Sequence, residues 1–169
     1  YPVPFPLIEQ EIKFSKVSFS YAERSPVVKD LSFTLAHGST TALVGPTGAG
    51  KSTIASLLLR YYDVDEGNIT IGGKNVSQLS LNNLRTHIGL VSQDPFLFDT
   101  SVRENLLLAS ENASEDELQR ALEAAHAWEF VRLLPEGMNT LIGERGVRLS
   151  MGEKQRLTLA RAMLKSSPI

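Results

Sequence analysis

The chain has no cysteine. Disulfides, thiolate zinc sites, iron–sulfur clusters and a cysteine nucleophile are therefore excluded, and a reducing compartment is permitted. Long hydrophobic runs are also missing. Apolar residues never exceed four in succession, at Leu106-Leu107-Leu108-Ala109, whereas a membrane-spanning helix needs about 20. Neither sign of charge dominates. The 17 Lys and Arg against 19 Asp and Glu leave a formal net charge of −2, which offers no electrostatic footprint for nucleic acid or an anionic membrane surface. There are no internal repeats and no low-complexity tracts. His37, His87 and His126 show no metal-ligand spacing and read as structural, and no Ser/His/Asp triad can be argued. The opening Tyr1-Pro2-Val3-Pro4-Phe5-Pro6 has neither an initiator Met nor the basic stretch of a signal peptide. That start leads to the expectation of a piece cut or processed from a longer protein, with residues 1–9 as a semi-rigid extended linker.

What is present suits one globular domain. The 169 residues are 42% apolar and 21% charged, and a chain of this size buries roughly 70% of its unfolded surface. Residues 10 to 44 read as strands. Ile12, Phe14, Val17, Phe19 and Tyr21 nearly alternate with polar residues, and Val27, Val28, Leu31, Phe33 and Leu35 continue the pattern. Thr40-Thr41-Ala42-Leu43-Val44 reads as a short apolar strand running into a glycine-rich loop. From Lys51 the period becomes helical, with Ile54, Leu57, Leu58 and Tyr61 on one face. Asn68–Ile71, bounded by glycines, is a further strand, and Ile88–Val91 is an apolar run ending at Ser92-Gln93. Beyond it the chain turns helical. Ser101 with Glu104 and Ser114 with Glu117 form capping-box patterns. The second opens a helix with Leu118, Ala121, Leu122 and Ala125 on one face, and a last helix is expected to end near Pro168.

Gly45-Pro46-Thr47-Gly48-Ala49-Gly50-Lys51-Ser52 fits the phosphate-loop pattern G-x-x-x-x-G-K-[ST], placed between an expected strand and an expected helix. Its chemistry needs these residue types. Small residues let successive backbone N–H groups converge on phosphate oxygens, and the helix that follows aims its positive end at the anion. Lys51 supplies a point charge to the β/γ-phosphates, and the Ser52 hydroxyl is a ligand for Mg²⁺. A phosphate loop alone does not name a family.

Leu149-Ser150-Met151-Gly152-Glu153-Lys154-Gln155-Arg156 resembles the LSGGQ-x-QR signature of ATP-binding cassette proteins. Met151 stands where that family has Gly, and Glu153 where it has Gln. Val91-Ser92-Gln93-Asp94 resembles the family's Q-loop, Phe19-Ser20-Tyr21 its aromatic A-loop, and Thr140–Gly146 the TxVGERG segment of the exporter branch. The resemblance runs from about residue 10 to the last residue. It implies an α/β fold: a P-loop NTPase-like core with an antiparallel β subdomain and an α-helical signature subdomain, lacking the C-terminal part of the core. The implied division is 10–93 for the β and P-loop part, 94–148 for the helical subdomain and 149–169 for the signature motif and its helix.

The resemblance also implies roles. ATP would lie on residues 45–52 and Thr53, with Tyr21 stacked on adenine. Val28 reads equally as a ribose or adenine contact and as a core valine. Gln93 would sense Mg²⁺ or the attacking water. Ser150, Gly152 and Glu153 would meet, in trans, the γ-phosphate of an ATP held by a second nucleotide-binding domain. Lys51, Gln93 and Ser150 are thus the expected catalytic contributors, with Ser52 and Gln93 at the metal. Ser150 and Glu153 are equally a capping box. Glu144 and Phe96-Leu97-Phe98 would face the transmembrane domains, although the three apolar residues read as well as ordinary core.

The implied partner is a second such domain, in a head-to-tail homo- or heterodimer at the cytoplasmic face of the membrane. In the family, the Walker B aspartate, catalytic glutamate and switch histidine follow the position of Ile169, and no run of four apolar residues followed by Asp-Glu occurs in residues 1–169. Hydrolysis needs a group to orient the attacking water. Two further readings stand beside an exporter ATPase: a module that binds nucleotide without turnover, and a non-transport cassette ATPase.

Overall fold

The computed structural model describes residues 4–5, 11–22, 25–144 and 146–169. The chain divides into two compact units, Tyr1–His87 and Ile88–Ile169. The Pro-rich lead-in apart from Pro4 and Phe5, and Arg145 of the Thr140–Gly146 segment, lie outside the described residues.

The first unit is built on an antiparallel sheet of β1 (Ile12–Phe19), β2 (Val28–Leu35), β3 (Glu66–Ile71) and β4 (Lys74–Asn75), in the order β2-β1-β3-β4. Ile12, Phe14, Val17 and Phe19 are all buried, and the spacing of three between Phe14 and Val17 has a physical cause. A bulge interrupts the β1–β2 register between those two residues, and Lys16 takes a left-handed φ of 49°. The extra residue restores the inward face that strict alternation would have lost. Phe14 pairs with Phe33 across the ladder, and their rings stack at 4.5 Å. On the other side the bulge pushes backbone against β3. A side chain at Gly67 (φ 77°) would meet the Lys16 carbonyl oxygen at 2.3 Å.

Helix α1 (Lys51–Leu58) follows the glycine loop. Its buried side is Thr53 and Leu57, joined by Leu59 just past its end, whereas Tyr61 is exposed rather than on the apolar face expected of it. The helix is closed at its C-terminus by a distant side chain. The Arg85 guanidinium donates to the Leu59 and Arg60 carbonyls at 3.0 and 2.8 Å, taking up acceptors that a helix end leaves open. Arg85 extends from α2 (Leu81–Thr86), whose N-terminus is capped by the Ser80 hydroxyl.

Thr40–Val44 is not a strand. No ladder pairs it among the described residues, and Val44 is 92% exposed. Apolar composition makes a segment able to enter a sheet, but a strand exists only where a neighbour supplies the hydrogen bonds. Phe5 lies within the expected linker. It is buried and stacks on the His87 ring at 4.3 Å, while Lys74 donates to the Pro4 carbonyl at 3.1 Å.

The second unit is helical: α3 (Val102–Leu107), α4 (Glu115–Ala124), α5 (Trp128–Val131) and α6 (Met151–Lys165). Both capping boxes expected in its first half form, at Ser101/Glu104 and Ser114/Glu117. Leu118, Ala121, Leu122 and Ala125 of the α4 stripe are all buried, and they join Val102, Leu106, Val131, Ile142, Leu157 and Ala160 in one core. Helix α6 ends at Lys165, three residues before Pro168, with Ser166 in the left-handed region. No helix among the described residues is long and apolar enough to cross a membrane.

The contact at the bulge generates a prediction. Gly67→Ala places a methyl group on the Lys16 backbone and forces a left-handed alanine, so it should destabilise the first unit by about 2 kcal/mol or more. Urea unfolding followed by circular dichroism measures this, and an unchanged midpoint would contradict the bulge geometry.

Candidate functional site

Two glycines shape the loop before α1. Gly48 and Gly50 both take left-handed φ, 84° and 83°, which only glycine adopts at little cost. Gly50 is the N-cap and has no side chain to offer, and the first turn carries no acidic residue. The amides of the first turn therefore lack an intrahelical acceptor. The other helices contrast with this. A serine caps each of α2, α3, α4 and α6, whereas the four-residue α5, like α1, goes without a side-chain cap. Gly50 is also pressed against the sheet. A Cβ there would lie 3.0 Å from the Val27 carbonyl oxygen and 3.4 Å from a Val28 methyl.

Residues 45–49 and Ser52 are exposed, whereas Thr53 is buried. The Lys51 ammonium folds back and donates to the carbonyls of Gly45 and Pro46 at 2.8 and 2.7 Å. It has three donors, so two stiffen its own loop and one remains for an anion. The donor set fits a polyphosphate: open amides, a helix N-terminus and a cation with a spare donor on one loop. It also fits Mg²⁺ in the way that ion binds, through one protein hydroxyl and the phosphates it accompanies. The exposed Ser52 hydroxyl is the group this unit would supply.

Tyr21 and Val28 belong to the same unit. Val28 opens β2 opposite Phe19, is 6% exposed, and has a methyl 3.4 Å from where a Cβ on Gly50 would lie. Tyr21 is half-buried; its hydroxyl lies 3.1 Å from the Thr53 hydroxyl, and its ring meets Phe19 and Tyr62 edge-on. Tyr62 carries no motif signal. Only the fold brings it to Tyr21.

In the second unit Gln93 is exposed and its side chain has no partner among the described residues. Ser150 caps α6. Its hydroxyl accepts from the Glu153 amide at 3.3 Å, while the Glu153 carboxylate accepts from the Ser150 hydroxyl and amide at 2.7 and 2.8 Å. Those bonds to Ser150, hydroxyl first, and the nearby charge of Arg156 hold the Glu153 carboxyl below its ordinary value. An anion reaching this helix end must therefore take the Ser150 donors from a carboxylate already bound to them. Met151 is 60% exposed, and nothing lies within 4 Å of a Cβ built on Gly152. The chain's own packing does not require glycine there.

The remaining expected surface is built from neighbours in sequence pointing different ways. Phe96 and Phe98 are exposed and meet edge-on at 4.9 Å, whereas Leu97 packs on the helical core. The buried Asn105 fixes this turn by accepting from the Phe98 amide at 2.8 Å and donating to the Phe98 carbonyl at 3.0 Å. Arg161 of α6 donates to the Phe96 carbonyl at 2.9 Å. Beside it opens a cleft of about 490 Å³ lined by Leu97, Asp99, Ile142, Gly143, Glu144, Arg148, Leu149 and Lys154. The glycines of the Thr140–Gly146 segment are steric necessities. A Cβ on Gly143 would meet Asp99 Oδ1 at 2.5 Å, and one on Gly146 would meet the Leu141 carbonyl oxygen at 2.2 Å. Sequence reasoning missed Asn105 and Arg148, which belong to no short motif, and Lys154, which stands at the variable position of the signature segment.

The sequence profile of the ABC transporter family matches residues 28–169. The chain is 45% identical over 162 residues to an uncharacterized ABC transporter ATP-binding protein of Bacillus subtilis, covering 96% of this chain and 28% of that protein. It is 44% identical over 164 residues to the ATP-dependent lipid A-core flippase of Mannheimia succiniciproducens, again covering 96% and 28%. The chain thus spans just over a quarter of the length of these relatives. Among solved structures, a bacterial Atm1-family ABC exporter with ATP bound matches with a TM-score of 0.95 and 40% identity, over 99% of this chain and 30% of that one.

The capping geometry at Ser150 sets a pH dependence. A glutamate whose folded pKa is lowered contributes stability that is fully present above its ordinary value and is lost as pH falls through the lowered one. Glu153→Gln keeps an acceptor but removes the titration. Thermal melts taken from neutral pH downward should show a steeper acid-side loss for the native chain than for the variant, and parallel curves would contradict the assignment.

Proposed function

Because the chain belongs to the ABC transporter family, we propose that it forms the ATP-binding part of an ABC exporter and works by nucleotide-driven pairing with a second such domain. The observation that carries this reading is the loop before α1. Its left-handed glycines leave the first-turn amides of an uncapped helix open, next to a lysine with a spare donor.

The proposed sequence of events follows from the donors. The triphosphate settles on the loop of residues 45–52 and the open first-turn amides of α1, and Lys51 turns from the Gly45 and Pro46 carbonyls toward it. The Ser52 hydroxyl would hold the Mg²⁺ that accompanies the nucleotide, and Gln93 would sense it or the attacking water. Tyr21 stacks on the base, a contact of about 1–3 kcal/mol where aromatic residues stack on nucleic-acid bases, and Val28 lines the same side. The γ-phosphate then offers an anion to the Ser150 hydroxyl and the open backbone at Gly152 of the opposing domain. Two such contacts, arranged head to tail, would close a dimer around two ATPs. The Glu153 carboxylate must release Ser150 for this to happen.

Transport, its cargo and the membrane partner belong to the same proposal. The exposed Phe96–Phe98 pair, held in place by Asn105 and Arg161, and the cleft bearing Glu144 supply an apolar and charged face for transmembrane domains at the cytoplasmic side of the membrane.

A test separates the two phosphate-contacting ends. Lys51→Ala removes a charge-assisted contact and should weaken MgATP binding by about 10- to 100-fold in calorimetric titration. Ser150→Ala should leave that affinity nearly unchanged while reducing ATP-dependent dimerisation, read by size-exclusion chromatography, and turnover of the assembled transporter. Equal MgATP affinity for the native chain and Lys51→Ala would overturn the assignment.

A binding-only reading of the chain by itself is favoured by one feature of its sequence: no four-residue apolar run in it is followed by Asp-Glu. Phosphate release by the purified 169-residue chain should then stay at the uncatalysed level, and sustained turnover would refute this second reading.

A further inference from the structure

Tyr62 belongs to no motif, yet the turn that carries it is tied to two other segments. Helix α1 ends at Leu58, and Arg60 then takes a left-handed φ of 50°. A non-glycine residue keeps that conformation at a cost, and only where its surroundings enforce it. Here the Arg60 guanidinium holds the turn. Its Nη1 donates to the carbonyls of Val76, Ser77 and Leu79 at 3.3, 3.3 and 3.1 Å, and its Nε donates to Asp63 at 3.0 Å. Further on, Asp65 bonds to both neighbours of Phe19. Its amide donates to the Ser18 carbonyl at 3.0 Å, and its carboxylate accepts from the Ser20 amide at 2.8 Å. The segment leaving α1 is thereby stitched to the end of β1, just ahead of Tyr21.

The result is a cluster of three rings. Tyr62 meets Tyr21 at 5.1 Å with the planes at 90°, and Phe19 at 5.4 Å with the planes at 45°. Tyr21 meets Phe19 at 4.8 Å with the planes at 84°. Perpendicular contacts at this spacing are a favoured arrangement of aromatic pairs, and they fix a ring's plane as well as its position. Phe19 is buried, Tyr21 half-buried and Tyr62 47% exposed. The cluster thus reaches from the core to the surface, with Tyr62 as its outer member.

We propose that Tyr62 is a positioning residue for base recognition: its ring sets the plane of the Tyr21 ring and ties that plane to α1, the helix whose open end would receive the triphosphate. This rests on the reading of residues 45–52 as a nucleotide site with Tyr21 stacked on the base, and deepens it. Tyr62 acts through Tyr21 rather than by touching the nucleotide. The ring of Tyr62 therefore matters and its hydroxyl does not. Its contribution vanishes with a ligand that has no base, and in a chain without the Tyr21 ring.

The experiment titrates the full chain calorimetrically with MgATP and with magnesium tripolyphosphate, which carries the anionic tail and no base. Tyr62→Leu removes the ring and keeps apolar bulk, whereas Tyr62→Phe keeps the ring. Tyr62→Leu should weaken MgATP roughly three- to tenfold, the size of one aromatic pair, and leave tripolyphosphate unchanged. Tyr62→Phe should bind both ligands as the native chain does. In a Tyr21→Leu background, adding Tyr62→Leu should cost nothing further, because the contact is already gone. A loss that persists in that background means that Tyr62 meets the nucleotide itself, and the proposal fails. It also fails if Tyr62→Leu weakens the two ligands equally, if it weakens neither, or if Tyr62→Phe binds MgATP as poorly as Tyr62→Leu. Unchanged MgATP affinity in Tyr21→Leu alone would instead refute the stacking of Tyr21. A native chain that binds neither ligand would refute the nucleotide site itself, and in both cases this inference falls with the reading it rests on.

Discussion

An eight-residue helix that starts without a cap is the constraint on which the first unit turns. Uncovered first-turn amides are costly beside a protein's interior and useful beside an anion. The chain keeps them open by placing Gly50, in a left-handed conformation, where a serine caps α2, α3, α4 and α6. Everything around α1 serves to hold that end still. Leu57 anchors its last turn in the core, Arg85 closes its far end, and Gly50 is wedged under Val27 and Val28. The bulged sheet is thus a fixture for one helix terminus.

The two helix ends assigned to phosphate have opposite chemistry. At α1 the cation is local and the amides are free. At α6 the Ser150 donors are already bound to the Glu153 carboxylate. On the proposed reading this asymmetry orders events. Nucleotide is taken first by the open end, and the capped end engages only when a competing anion is brought to it by a second domain. A capping box, an ordinary local device, would thereby set a threshold on closure. Met151 adds an exposed thioether side chain beside that end where the family has glycine.

The apolar surface near Phe96 makes a similar point about mixed roles. Leu97 secures the turn in the helical core while its two neighbours remain outside. The polar groups that fix the turn, Asn105 and Arg161, come from α3 and α6. The aromatic pair is thus tied by a hydrogen bond to the helix that begins at Ser150.

Local rules were legible in the chain wherever the cause was local. Capping boxes at Ser101, Ser114 and Ser150 and the α4 stripe formed as read, because each depends on residues within one or two turns. Thr40–Val44 could not be judged that way, since strand structure needs a neighbour, and Tyr61 and Leu59 traded places because the helix ended before its apolar pattern did. The amino-acid sequence by itself determined which residues are proposed to meet a phosphate, because glycines at fixed spacing permit the left-handed turns at Gly48 and Gly50 directly. Only the tertiary structure decided what steadies them, because Tyr21 on Thr53, Tyr62 on Tyr21 and Gly67 on the Lys16 bulge are contacts between segments that no spacing rule relates.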